Sequence, residues 1–298
     1  MKKAILVVGS TGNLGNRICR QLVERGAAVS AIIRTTSDAA KIENLKKIGV
    51  KVIEVDVNNI DDIAKACTGA DCVVSALAGL REVIVDLQKR ILDGAMQAGV
   101  PRFIPSDFCT DYSDLVPGEN RNFDLRREFK SYIDTTSIGV SSIFNGAFAE
   151  ILTYNIPLLN RKDKCIAFWG EKSDWKLDFT TIDETAAFTA QVALDDTAPR
   201  DLQIASFQIS PNMIWAAVKE ATGEEYRIYQ LSTLEDFAKL IKKQRGDNPA
   251  GENELYAKWQ QSQYMHSMFS THHNHLANDR YKDLVWTTGL AYIKSVVK

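Results

Sequence analysis

Apolar residues fall along the first half of the chain in two alternating rhythms. Residues 4–8 form a short unbroken apolar run, as expected of a strand buried on both faces of a parallel sheet. Beyond a glycine-bearing turn, Leu14, Ile18 and Leu22 recur every four residues and predict an amphipathic helix, which Gly26 ends. The alternation continues with strands at 29–33, 51–57, 71–75, 102–105 and 140–144 and helices at 39–47, 61–67, 83–98 and 126–135. Repeated βα units of this kind predict an α/β protein built on a Rossmann-type doubly wound parallel sheet.

After about residue 150 the rhythm breaks into short strands, helices at 213–221 and 234–243, and a polar loop at 246–253. This predicts a first domain over 1–150, joined by part of 179–195. A smaller α+β substrate-binding domain over 151–298 would cap the sheet's carboxyl edge, where ligands of such folds sit.

Composition narrows the function classes. The 298 residues exceed one compact core, and 36 Lys+Arg against 38 Asp+Glu leave a net charge of −2. Such a balance gives no footprint for nucleic acid or an anionic membrane. No apolar run reaches the roughly 18 residues of a membrane span. The opening apolar stretch runs straight into glycine with no cleavage pattern, so it reads as a strand and not a signal peptide. Cys19, Cys67, Cys72, Cys109 and Cys165 are scattered and odd in number, the pattern of reduced thiols in a cytoplasmic protein.

The chemistry concentrates in the first βα turn. Gly9-Ser10-Thr11-Gly12-Asn13-Leu14-Gly15 follows a predicted strand and opens a predicted helix, the context a dinucleotide phosphate loop requires. The first glycine permits the tight turn, the second lets pyrophosphate approach the backbone, and the third lets helix and strand pack closely. The second strand ends in Arg34-Thr35-Thr36-Ser37 with no acid at its tip. Arg34 can pair with a 2′-phosphate and the hydroxyls of Thr35 and its neighbours can add hydrogen bonds, which favours NADP(H). The plainer alternative for Arg34 is a solvated strand-end charge.

These residues, with Ala98-Gly99-Val100-Pro101-Arg102-Phe103-Ile104-Pro105-Ser106-Asp107-Phe108 and Phe144-Asn145-Gly146-Ala147-Phe148, make the chain resemble the NmrA-like and isoflavone-reductase-like branch of the atypical short-chain dehydrogenases. The resemblance is closest over 4–195. It implies that Ser106 and Phe108 lie near the nicotinamide, Ser75, Ala76 and Leu77 along the cofactor, and Asn145 near the active-site floor. It also implies that Gly9, Thr11, Gly12, Asn13, Leu14 and Gly15 hold the phosphates.

The catalytic pattern departs from the family. No Tyr-x-x-x-Lys occurs anywhere in the chain, and where the reductase branch carries a lysine, in a pattern like FxxKxxIRRxIE, this sequence has Arg126. Arginine keeps its proton, so it can orient a substrate or stabilise an oxyanion but cannot serve as a base. Lys130, one helical turn on, is the second candidate. A basic helix face in water is the plain alternative for both. All four histidines lie in 266–275, and His272-His273-Asn274-His275 is dense. With no cysteine nearby, a polar rim or a loop over the substrate cleft is favoured over a metal site.

The expectation is an NADPH-dependent reductase of a small apolar or aromatic carbonyl, enone or quinone. The alternative is a catalytically silent, NADP(H)-sensing regulator with a protein partner.

Overall fold

The computed structural model describes residues 2–297, which divide into two compact units. The first takes in Met1–Phe108, Asn122–Ile143 and Thr185–Leu202; the second takes in Cys109–Arg121, Phe144–Glu184 and Gln203–Lys298. The units therefore interleave along the chain: 185–202 belongs with the first unit, near the 179–195 expected there, while 109–121 belongs with the second.

Six strands make the first unit's sheet: β1 (Ala4–Val8), β2 (Ala28–Ile33), β3 (Lys51–Glu54), β4 (Cys72–Ser75), β5 (Arg102–Ile104) and β6 (Gly139–Val140). Their order is β3-β2-β1-β4-β5-β6 and every pairing is parallel. The order reverses between β1 and β4, which sets the crevice of a doubly wound sheet at the carboxyl ends of those two strands. The intervening helices are α1 (Asn13–Glu24), α2 (Ala39–Lys47), α3 (Ile60–Cys67), α4 (Gln88–Gln97) and α5 (Arg121–Ile133). Leu6, Val73, Ile91, Phe103 and Phe129 are among the residues of its core.

Several predicted bounds differ. The helix expected over 83–98 begins as a π turn, Glu82–Leu87, before α4 takes over. The strand expected over 140–144 is two pieces, β6 and β7 (Ser142–Phe144). The chain breaks ladder at Ser142, whose N–H donates to Arg200 O at 2.7 Å while that of Ser141 still reaches Phe103 O. The third strand stops at Glu54 because Asp56 and Asn59 close a turn. Helix α5 begins five residues early, its first N–H taken by the Gln263 side chain at 3.1 Å.

In the second unit β8 (Ala147–Phe148), β10 (Leu177–Thr180) and β12 (Phe207–Ile209) form a three-stranded sheet. A parallel pair is made by β9 (Cys165–Trp169) and β13 (Arg227–Ser232); β11 (Asp201–Gln203), most of which belongs to the first unit, pairs with β7. Around them lie α7 (Pro211–Thr222), α8 (Leu234–Asp247), α9 (Lys258–Ser270) and α10 (Gly289–Val297), while α6 (Ile182–Leu194) leads back into the first unit. The loop expected at 246–253 is instead the end of α8 and a 3-10 turn, Pro249–Asn253. The Arg121 guanidinium holds that turn through Gly251 O and Glu252 O. Trp169, Phe179, Phe237 and Phe269 belong to this unit's core.

Candidate functional site

The glycine loop leaves β1 and enters α1 as the sequence predicts. Gly9 has φ +81°, open to glycine at no cost, and a Cβ on it would stand 2.4 Å from Ala76 O. A Cβ on Gly15 would stand 2.3 Å from Gly9 O. At Gly12 the nearest atom is Gly9 O, 3.1 Å away, so that face of the loop is the roomiest of the three. Gly12 is also the N-cap of α1, and no side chain caps the helix. The first amides and the positive end of the helix dipole can therefore take a phosphate.

Neighbouring strand ends complete this edge. In register, Val8 faces Ser75 and Val74 faces Ile104, so Gly9, Ala76 and Ser106 follow one another along the carboxyl edge of β1, β4 and β5. Ala76 N–H donates to Val8 O at 2.8 Å. The Ser106 hydroxyl donates to Leu77 O at 2.5 Å, tying the last two strand ends together. Ser10 and Ser75 are buried, and neither hydroxyl has a hydrogen-bond partner. Glycines that admit no Cβ, an uncapped helix start and two orphaned hydroxyls fit a bound dinucleotide.

At the tip of β2, Arg34 and Thr35 are exposed in a turn that Ser37 closes, its N–H donating to Arg34 O at 2.9 Å. The nearest acid beyond it, Asp38, caps α2 by accepting from Ala40 N–H at 2.8 Å and Lys41 N–H at 3.1 Å. Beside the loop opens a cleft of about 480 Å³ that the sequence did not announce. Thr11, Gly12 and Asn13 line it with three cations, Arg17, Arg20 and Lys41, and no carboxylate.

The two catalytic candidates part company. Arg126 Nε donates to Ser106 O at 3.2 Å and its Nη1 to Asn122 O at 2.9 Å, which fixes the guanidinium on the end of β5. Lys130 instead pairs with Asp134 at 2.6 Å. Arg200 takes the other oxygen of Asp134 at 2.8 Å and also donates to Ser142 Oγ, which in turn donates to Asp107. Burial alone would push the Asp134 carboxyl up, but the hydrogen bonds from Lys130 and Arg200 outweigh it and hold the group below its ordinary range. Phe108 is buried in the first unit. Asn145 is buried in the second, where its carbonyl accepts from Thr180 Oγ at 2.6 Å.

Two of the four histidines, His266 and His273, are buried and do not belong to an exposed rim. His273 is buried: its N–H donates to Asp178 at 2.7 Å, Nδ1 lies 3.2 Å from Ile204 O, and Nε2 accepts from Asp111 N–H at 3.3 Å. His266 is buried on α9, and burial lowers its pKa. Both ring nitrogens of His273 therefore have partners and the side chain packs in the core, whereas His275 is exposed. Among the described residues no group of three or more His, Cys, Asp or Glu is placed to share a metal ion.

Gln88 opens the segment that carries the family resemblance, but the sequence alone assigns it no role. It is buried, and its side chain joins Ser106 N–H to the carbonyl of Ile84. A polar residue on the apolar stripe of the predicted 83–98 helix was the available signal.

Comparison with known proteins follows the same lines. The model of the NmrA-like family matches residues 1–284. Pinoresinol reductase 1 of Arabidopsis thaliana is 29% identical over 216 residues, covering 67% of this chain and 67% of that protein. A bifunctional pinoresinol-lariciresinol reductase of Linum usitatissimum is 28% identical over 205 residues, covering 64% and 65%. The matched stretches thus span about two thirds of those relatives. The solved structure of AtPrR2 with NADP+ and (+)pinoresinol superposes with a TM-score of 0.81 at 23% identity, covering 100% of this chain and 99% of that one.

Proposed function

Because this chain belongs to the NmrA-like family, we propose that it is an NADPH-dependent reductase of a small apolar or aromatic carbonyl, enone or quinone. The observation that carries the reading is the glycine cradle with its uncapped helix start, set at the β1/β4 reversal and in line with Ser75, Ala76 and Ser106. Gly9, Thr11, Gly12, Asn13, Leu14 and Gly15 bind the pyrophosphate there. Arg34 and Thr35 serve the 2′-phosphate, with the cations of the adjoining cleft adding positive field. Asp38 is committed to capping α2, so no acid favours an unphosphorylated ribose at the tip of β2.

Bound NADPH supplies the hydride. The chain supplies orientation and charge. Arg126, held against Ser106 O and Asn122 O, stabilises negative charge developing on a substrate oxygen and stays protonated throughout. Lys130 is held by Asp134, so Arg126 is the stronger of the two candidates. Ser106 and Phe108 border the nicotinamide. Relatives of this chain carry the names pinoresinol reductase and pinoresinol-lariciresinol reductase, which supports a substrate of that kind. They give the silent-regulator alternative no support. The five cysteines are buried thiols, in keeping with a cytoplasmic site of action.

The test is NADPH consumption against a panel of carbonyls, enones, quinones and pinoresinol, with 4-deuterated NADPH to follow the label. Transfer of deuterium to an acceptor supports the reductase. Tight NADPH binding with no transfer to any acceptor overturns it and returns the regulator.

A further inference from the structure

We propose that Gln88 is a positioning residue that sets the end of β5, and through it Arg126, against the cofactor edge; this rests on the reductase reading above. Gln88 is buried on the first turn of α4, directly after the π turn. Its backbone N–H reaches back five residues to Val83 O, the bond that defines that turn. Its side chain then works in both directions. Nε2 donates to Ile84 O inside the π turn at 2.8 Å, and Oε1 accepts from Ser106 N–H at 2.9 Å. Ser106 carries the remaining links, its hydroxyl to Leu77 O and its carbonyl to Arg126 Nε.

One primary amide therefore fixes three parts of the edge. A buried amide of this kind is costly to leave half-satisfied, so both of its bonds must form together. The widened turn brings the Ile84 carbonyl to the donor, and π turns are frequent at functional sites for this kind of local reshaping. Leucine or methionine would suit the apolar stripe better, since Ile84, Ile91 and Leu92 on the same segment are all buried. Retaining an amide there has a use in placing Ser106.

The experiment compares wild type with Gln88→Met, Gln88→Glu and Ile91→Val, the last a buried α4 control outside the hydrogen-bond chain. Hydrogen exchange of the 102–108 segment, NADPH affinity, melting temperature, kcat and KM are read for each. Gln88→Met is expected to speed exchange at Ser106 and to lower kcat by about tenfold or more, as a misplaced group does, with NADPH affinity within about threefold. Gln88→Glu keeps an acceptor for Ser106 N–H and should recover part of both. Unchanged exchange at Ser106 in Gln88→Met overturns the proposal. So does an equal kcat loss in Ile91→Val at matched loss of melting temperature. If wild type reduces no acceptor, the reductase reading fails, and the exchange result alone decides whether Gln88 positions Ser106.

Discussion

Arg126 carries its charge at any pH the protein meets, and this gives a distinctive expectation. Arg126→Ala should lower kcat by about 10²–10³, the usual cost of removing one oxyanion donor, while NADPH affinity changes little. Steady-state kinetics with a fluorescence titration separate the two; equal losses in both would assign Arg126 to cofactor binding. At His266 burial lowers the pKa below the ordinary 6.5, so the unfolded chain takes up a proton more readily than the folded one. Its contribution to stability is present above that value and is lost as pH falls through it. The melting-temperature gap between wild type and His266→Gln should therefore narrow between about pH 7.5 and about pH 5.5. Parallel curves would contradict this. At this scale the sequence was informative where a residue acts through its backbone, as Gly9 and Gly15 do. It was silent where a side chain acts through a distant partner: nothing local pairs Lys130 with Arg200 through Asp134, or buries His273 on Asp178 and Ile204.

The glycine loop makes its own forecast. A methyl at position 15 meets Gly9 O at 2.3 Å and cannot be accommodated without moving the turn. Gly15→Ala should abolish NADPH binding and cost about 1–3 kcal/mol of stability, the usual range for overpacking. Retained binding, read by titration and denaturant unfolding, would show that the loop is not the phosphate site. Elements set by local rules were legible: β1, α1 and α2 stand close to where the apolar rhythm and the glycines put them. Others depend on partners far along the chain. The start of α5 is extended by Gln263, and the 249–253 turn is organised by Arg121. The π turn preserves the apolar stripe, so periodicity alone could not distinguish it from α-helix.

At the level of the molecule, the βα rhythm foretold a doubly wound parallel sheet; its six-strand order, reversing between β1 and β4, came from the structure. The sequence did not foretell that 109–121 would join the second unit, though it did lead us to expect part of 179–195 to return to the first. Unit membership follows from contacts remote in sequence, which hydrophobic periodicity does not record. A ligand that binds only the folded state adds stability by mass action, so saturating NADPH should raise the melting temperature by several degrees. The most direct test of the account is a fluorescence titration of the protein with NADPH and with NADH. An affinity for NADPH at least about tenfold tighter, a difference of about 1.4 kcal/mol, is the predicted result. Equal affinities would contradict the role of Arg34 and the basic cleft, and no binding of either would contradict the dinucleotide site itself.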